Sequence, residues 1–304
     1  MSLLPPPPAS RPLGASGLAV SALAWGMWRL VEEGLSAAET ARLVHAALDA
    51  GINLMDTADI YGFDGKVGFG DAEALLGEVL AQEPALRDRM VLATKGGIMP
   101  PLPYDQSPGY LAQAIDASLR RLRTDRIDLW QIHRPDILAH PQEVARVLEE
   151  AVAAGKVRAL GVSNFTIHQI AALQHFLTVP LASTQPEASA LRIDVFENGE
   201  LDQAMVLGLV PMAWSPLGGG RIVAPETPRE RAVAAALDAV ADAQGAARSV
   251  AALSWLMTHP AGIVPIVGSQ RAERIAAAAR ACDVRWTRAE WYAVLVAARE
   301  APLP

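Results

Sequence analysis

A chain of 304 residues, 19% of them charged, with an alanine-rich apolar composition and no long biased segment beyond Pro5 to Pro8, is expected to be ordered and globular. It is long enough for one large barrel or two ordinary domains. A formal charge of −7 argues against nucleic acid and anionic membrane, which select clustered cations, and points to a small-molecule partner.

The first ten residues, MSLLPPPPAS, show neither a basic nor an apolar leader region, so residues 1–10 are expected to be a flexible segment of a cytoplasmic protein. The lone Cys282 cannot form an internal disulfide, which agrees with a reducing compartment. Between Arg11 and Arg29 no charge occurs, but Pro12 and several glycines and serines interrupt the run, so no transmembrane helix is expected. With no composition break, residues 11–304 read as one domain. Arg11 to Val20 predicts a small hairpin, and a first strand ends near Gly26 and Met27.

Short apolar runs then recur at Ile52 to Met55, Met90 to Ala93, Ile127 to Ile132, Val157 to Val162, Leu209 to Ala213 and Ile263 to Val267, the pattern of buried strands. Helical segments lie between them. Ser36, Thr166 and Thr287, each followed three residues later by Glu or Gln, are candidate capping boxes, and Thr227-Pro228 places proline at a first helical position. Gly68-Phe69-Gly70-Asp71 lacks the third glycine of a dinucleotide fingerprint and reads as a loop leading into a helix capped by Asp71. The segment Arg120-Arg121-Leu122-Arg123 reads as a solvated helix face, and Thr287 to Arg299 as an added C-terminal helix.

Alternating strands and helices imply a parallel sheet, either closed as a barrel or open and doubly wound. Asp56, Lys95, His133, Ser163-Asn164, Gln185, Trp214-Ser215 and Gly268-Ser269 each fall at or just past a strand end. A closed barrel gathers groups from many strand ends onto one face, so the pattern favours the barrel. Gathered there, Asp56, Tyr61, Lys95 and His133 would make a proton donor for a carbonyl oxygen that receives hydride. An ammonium lowers the pKa of a neighbouring phenol, a carboxylate holds the ammonium, and a histidine bonds the same oxygen. Taken singly, each has a plainer structural reading as a cap, a solvated strand end or a packed histidine.

The motifs DTADIYG, VLATKGG, SLRRLRTDRIDLWQIHRPD, GKVRALGVSNF, AWSPLGGG and IVGSQRAERI, in this order, give the chain a resemblance to the aldo-keto reductases from about residue 11 onward. The resemblance implies an α/β (β/α)8 TIM barrel that reduces aldehydes and ketones with NADPH, without a separate dinucleotide-binding domain and without metal. It places a catalytic tetrad on Asp56, Tyr61, Lys95 and His133, with Tyr61 as general acid. It further implies that Ser163, Asn164 and Gln185 hold the nicotinamide carboxamide, that Trp214 stacks on the ring, and that Ser215, Leu217 and Gly218 line the pyrophosphate. Gly26 and Met27 fall near the nicotinamide and its ribose, Gly268, Ser269 and Arg274 near the adenosine 2′-phosphate, and Trp28 in the substrate pocket. Leu102 and Tyr104 suggest an apolar lining for that pocket.

Three departures stand out. Gly268 replaces a frequent lysine, Ala277 and Ala278 replace polar residues near adenine, and Pro186 follows Gln185, removing an amide donor from a strand end. Asp59 has no catalytic assignment and reads as a loop or cap residue. Competing readings are a metal-dependent barrel hydrolase, which the scattered histidines oppose, a non-catalytic nicotinamide-binding auxiliary protein, and the same enzyme run in the direction of alcohol oxidation. The segments Phe63 to Gly70, Ile98 to Pro108 and Arg221 to Pro228 are candidate pocket loops. Oligomeric state is not legible in the sequence.

Overall fold

The computed structural model describes residues 2–303. The predicted hairpin forms from β1 (Ser10–Pro12) and β2 (Ala19–Ser21), with Arg11 opposite Val20. Eight strands follow: β3 (Ala24–Gly26), β4 (Leu54–Asp56), β5 (Val91–Gly96), β6 (Ile127–Ile132), β7 (Val157–Ser163), β8 (Leu181–Gln185), β9 (Val210–Ala213) and β10 (Val264–Val267). Each pairs in parallel with the next, and β10 pairs with β3, so the sheet closes into a barrel as expected.

The outer helices are α1 (Ala37–Asp49), α2 (Asp71–Gln82), α3 (Pro108–Leu122), α4 (Pro141–Ala153), α5 (Ile167–Phe176), α6 (Glu200–Leu207), α7 (Pro228–Ala243), α8 (Arg248–Met257) and α9 (Ala272–Ala279). The chain adds α10 (Arg288–Arg299), which packs against α7, itself an extra helix in the β9 to α8 connection. All three predicted capping boxes form, at Ser36, Thr166 and Thr287, and Thr227 makes a fourth with Glu230. In each, two amide donors that a helix start leaves free find side-chain acceptors. Helix α2 departs from expectation: Gly70, at φ 91°, is the cap, and Asp71 is the first helical residue with no capping bond. A left-handed turn before the helix requires the glycine, and Asp71 then acts only as a negative charge at the positive end of the helix.

Side chains alternate across each strand, so residues two apart share a face. Leu54, Ala93, Leu129, Ala159, Ala182 and Met212 point inward and form a lower apolar layer. Leu13, Leu18 and Val20 of the hairpin segment join that layer, so the hairpin plugs the bottom of the barrel. Gly14, at φ 53°, lies so close to Ala182 that an added Cβ would sit 2.7 Å from its Cα. Outward residues such as Leu92, Trp130, Leu160 and Val162 form the larger core beneath the helices.

The segment expected to be loose touches the far end of the chain: Leu3 bridges to Thr287, and the Leu4 amide donates to the Trp286 carbonyl at 2.7 Å. Pro186 does not disrupt the barrel. Strand β8 ends one residue earlier, and the Pro186 carbonyl still accepts the Trp214 amide at 3.1 Å.

Candidate active site

Above the apolar layer the same inward alternation brings up polar side chains: Asp56 from β4, Lys95 from β5, Gln131 from β6 and Gln185 from β8, all buried. Lys95 Nζ donates to Asp56 Oδ2 at 2.7 Å, to the Thr57 carbonyl at 2.8 Å and to Tyr61 Oη at 3.1 Å. Its three protons are therefore all placed. The other Asp56 oxygen accepts from Gln185 Nε2 at 3.0 Å and weakly from Gln131 Nε2 at 3.5 Å. The Tyr61 and His133 rings meet edge to face with centroids 5.8 Å apart, and Trp28 lies edge to face with Tyr61 at 5.1 Å. The four predicted tetrad residues thus converge.

Electrostatics differ from the simple expectation for Tyr61. Burial raises its pKa, Lys95 pulls it down, and burial together with Asp56 wins, so the phenol is held above its ordinary value. Burial also opposes the charge on Lys95, but Asp56 and Tyr61 outweigh it and hold the ammonium above the usual lysine value. His133 sits well below the ordinary histidine value through burial and the nearby positive charges of Lys95 and Arg134, so its ring is neutral near pH 7. Its Nδ1 is buried without a partner, which leaves Nε2 for the cavity.

Asp59 does not cap a loop or helix. It is buried with both carboxylate oxygens unpartnered, and burial and the Glu73 carboxylate raise its pKa well above the usual range. Oδ2 lies against Gly96, where an added Cβ would be 3.1 Å away.

The tetrad opens into a cavity of about 780 Å³, within the range of small-molecule sites. Of the predicted site residues, Gly26, Trp28, Ser163, Asn164, Gln185, Trp214, Ser215, Leu217, Gly268, Ser269 and Arg274 line it. Met27 and Gly218 are buried just behind the wall, and Leu102 and Tyr104 lie outside it. The expected apolar lining is therefore not built by those two residues. Of the three candidate loops only the third contributes, through Val223 and Ala224. Arg29, Glu33, Arg134 and Arg271 line the cavity as well, and sequence reasoning did not single them out.

Ser163, Asn164 and Gln185 are brought together by their own bonds. Ser163 Oγ donates to the Gln185 carbonyl at 2.9 Å, and Asn164 Nδ2 donates to Ser163 Oγ at 2.9 Å and to the His133 carbonyl at 3.1 Å. Trp214 Nε1 donates to Asn164 Oδ1 at 3.0 Å. Asn164 and Ser215 hold positive φ values of 59° and 53°, a strained conformation that clusters at functional sites.

The cavity's chemistry fits a nicotinamide dinucleotide. Side-chain amides stand beside the tetrad, and at Gly219 and Gly220 an added Cβ would meet nothing within 4 Å, leaving open backbone for a diphosphate. At the far end Arg274 has no ion-pair partner among the described residues, whereas Arg271 is paired with Glu273 at 2.5 Å.

Comparisons agree with this reading. The chain is 74% identical over 304 residues to the 6-dehydroglucose reductase of Novosphingobium aromaticivorans, covering all of both chains. It is 39% identical over 285 residues to the 6-dehydroglucose reductase of Agrobacterium fabrum, covering 90% of this chain and 93% of that one. A thermostable aldo-keto reductase solved with the inhibitor epalrestat superposes with a TM-score of 0.80 at 23% identity, over 95% of this chain and 99% of that one, and so shares the fold. The profile of the Aldo/keto reductase family matches residues 22–295, and the chain belongs to that family of nicotinamide-dependent oxidoreductases.

Proposed function

We propose that this enzyme uses NADPH to reduce a sugar aldehyde, with 6-dehydroglucose as the substrate. The relative identical at 74% along both whole chains supports the substrate. The observation that carries the chemistry is the bond of 3.1 Å from Lys95 to Tyr61. Because the ammonium donates into the phenol oxygen, the phenolic hydrogen is free to turn toward a carbonyl oxygen in the cavity.

When bound, NADPH supplies the hydride that reduces the carbonyl carbon. Tyr61 is the general acid: its O–H bond breaks as the proton bonds to the carbonyl oxygen, and the electron pair left on Oη is stabilised by Lys95. Asp56 keeps that ammonium charged and in place. Neutral His133 donates a second hydrogen bond to the same oxygen and orients it.

Ser163, Asn164 and Gln185 hold the carboxamide, for which Asn164 Oδ1 and Gln185 Oε1 retain acceptor capacity, and Trp214 supports the ring. Gly26 flanks the ribose, with Met27 buried behind it. Ser215 and Leu217, with Gly219 and Gly220 beyond the buried Gly218, present the turn that receives the diphosphate, and Ser269 and Arg274 take the 2′-phosphate, for which the guanidinium fork is suited. A cytoplasmic setting accords with the single Cys282.

The test follows the near-ultraviolet absorbance of NADPH with 6-dehydroglucose and with simple aldehydes, using Tyr61→Phe as control. Substrate-dependent oxidation that the variant lacks supports the reading; full activity in the variant removes Tyr61 as the acid. Cofactor binding with no turnover on any carbonyl would instead favour an auxiliary role.

A further inference from the structure

The wall beside Tyr61 carries charge that carbonyl reduction itself does not use. Trp28 is 52% exposed there, an unusual setting for a tryptophan. Arg29 follows it, and Glu33 stands one turn further on, its amide donating to the Arg29 carbonyl at 3.2 Å. Between them Val31 packs with Ala58, Ile60 and Tyr61, which fixes this segment to the loop that bears the phenol.

Arg134 comes from the other side, directly after His133, and its charge is felt by that ring. Its backbone is pinned, since the Arg134 carbonyl accepts Gln106 Nε2 at 2.6 Å. Arg29, Glu33 and Arg134 all line the cavity, and among the described residues none has a side-chain hydrogen-bond or ion-pair partner.

These groups suit one class of ligand. An aromatic wall covers the C–H face of a sugar, a guanidinium donates paired bonds to neighbouring hydroxyls, and a carboxylate accepts from hydroxyls. A plain alkyl aldehyde would satisfy none of these groups, whereas hydroxyls would, including at the half-buried Arg134. An anionic aldehyde would pair with a guanidinium and leave the Glu33 carboxylate without a hydroxyl donor.

We propose that Trp28, Glu33 and Arg134 form a hydroxyl-reading subsite that selects polyhydroxylated aldehydes over plain alkyl ones. This rests on the carbonyl-reduction reading above and assigns its substrate selectivity to named side chains.

The experiment measures kcat/KM with NADPH for 6-dehydroglucose, hexanal and an aldehyde bearing a terminal carboxylate, in the wild type and in Glu33→Gln and Arg134→Leu. The ratio of sugar aldehyde to hexanal cancels any loss of folded enzyme. It is expected to fall by about tenfold or more in each variant, since a site built to bond a hydroxyl loses discrimination when the bond is removed. A ratio unchanged within about twofold, or a wild-type preference for the carboxylate aldehyde over the sugar, overturns the subsite while turnover of hexanal leaves the reductase reading standing. If the wild type turns over none of the three, both readings fall together.

Discussion

Lys95 stands 3.1 Å from Tyr61 Oη while its remaining protons are taken by Asp56 and the Thr57 carbonyl, so the ammonium has no freedom to move away from the phenol. With Lys95 fully buried, the pair is also shielded from salt. Lys95→Met is therefore expected to lower kcat by about 10²- to 10⁴-fold, the range of general acid catalysis, with little change in NADPH binding measured by fluorescence titration. A variant with kcat within threefold of wild type would show that Lys95 does not support the acid.

Asp56→Asn leaves that buried ammonium without its anion. Removing one partner of a buried pair costs about 3 kcal/mol or more, so denaturant unfolding should show a loss of that size together with the fall in turnover. Equal stability of variant and wild type would mean that Gln131 and Gln185 alone can hold the site.

Asp59 titrates above the usual carboxylate range in the folded chain. The folded state then binds more protons than the unfolded state once pH passes the ordinary carboxylate value, so the group's contribution to stability falls as pH rises from there through its raised value. Asp59→Asn cannot ionise. Its melting temperature relative to wild type should increase as pH rises above the ordinary carboxylate value, and a pH-independent difference would contradict the raised value of Asp59.

His133 is held well below the normal histidine value, by burial first and by Lys95 and Arg134 next. Its ring signals in NMR should show no titration between pH 6 and pH 8, where an ordinary histidine charges and discharges. An inflection near pH 6.5 would mean that burial and the neighbouring cations do not suppress the charged ring.

At Gly268 an added Cβ would meet nothing within 4 Å, so a longer side chain has room at the end of the cavity proposed for the 2′-phosphate. Gly268→Lys should tighten NADPH by about 1 kcal/mol, roughly fivefold in Kd, and leave NADH unchanged, whereas Arg274→Ala should weaken NADPH alone. Calorimetry with both cofactors separates these outcomes, and parallel changes in NADH binding would remove the phosphate from the explanation.

Much of this was legible in the chain because strand ends carry their chemistry in short, local motifs. Six strands announced themselves as apolar runs. Strands β3 and β8 did not: Ala24–Gly26 is very short, and Leu181–Gln185 is polar because Ser183 and Gln185 belong to the barrel's polar layer. Gln131 was hidden inside an apolar run, although its spacing of two from Leu129 and from His133 marks it as inward. Asp59 gave no signal because its burial is created by Gly96, Glu73 and Arg121, residues distant in sequence. Leu102 and Tyr104 misled the reading because the course of a loop over a surface is not written in local spacing.

The hairpin at the foot of the barrel leaves the described cavity open only at the opposite end. Leu13, Leu18 and Val20 fill the lower end, so dinucleotide and carbonyl substrate share one mouth, and whichever lies deeper has to arrive before the other. Tyr61 and Asp56 line the inner wall of that mouth and Trp28 its outer rim. Steady-state kinetics should therefore be sequential, with both molecules bound before either product leaves.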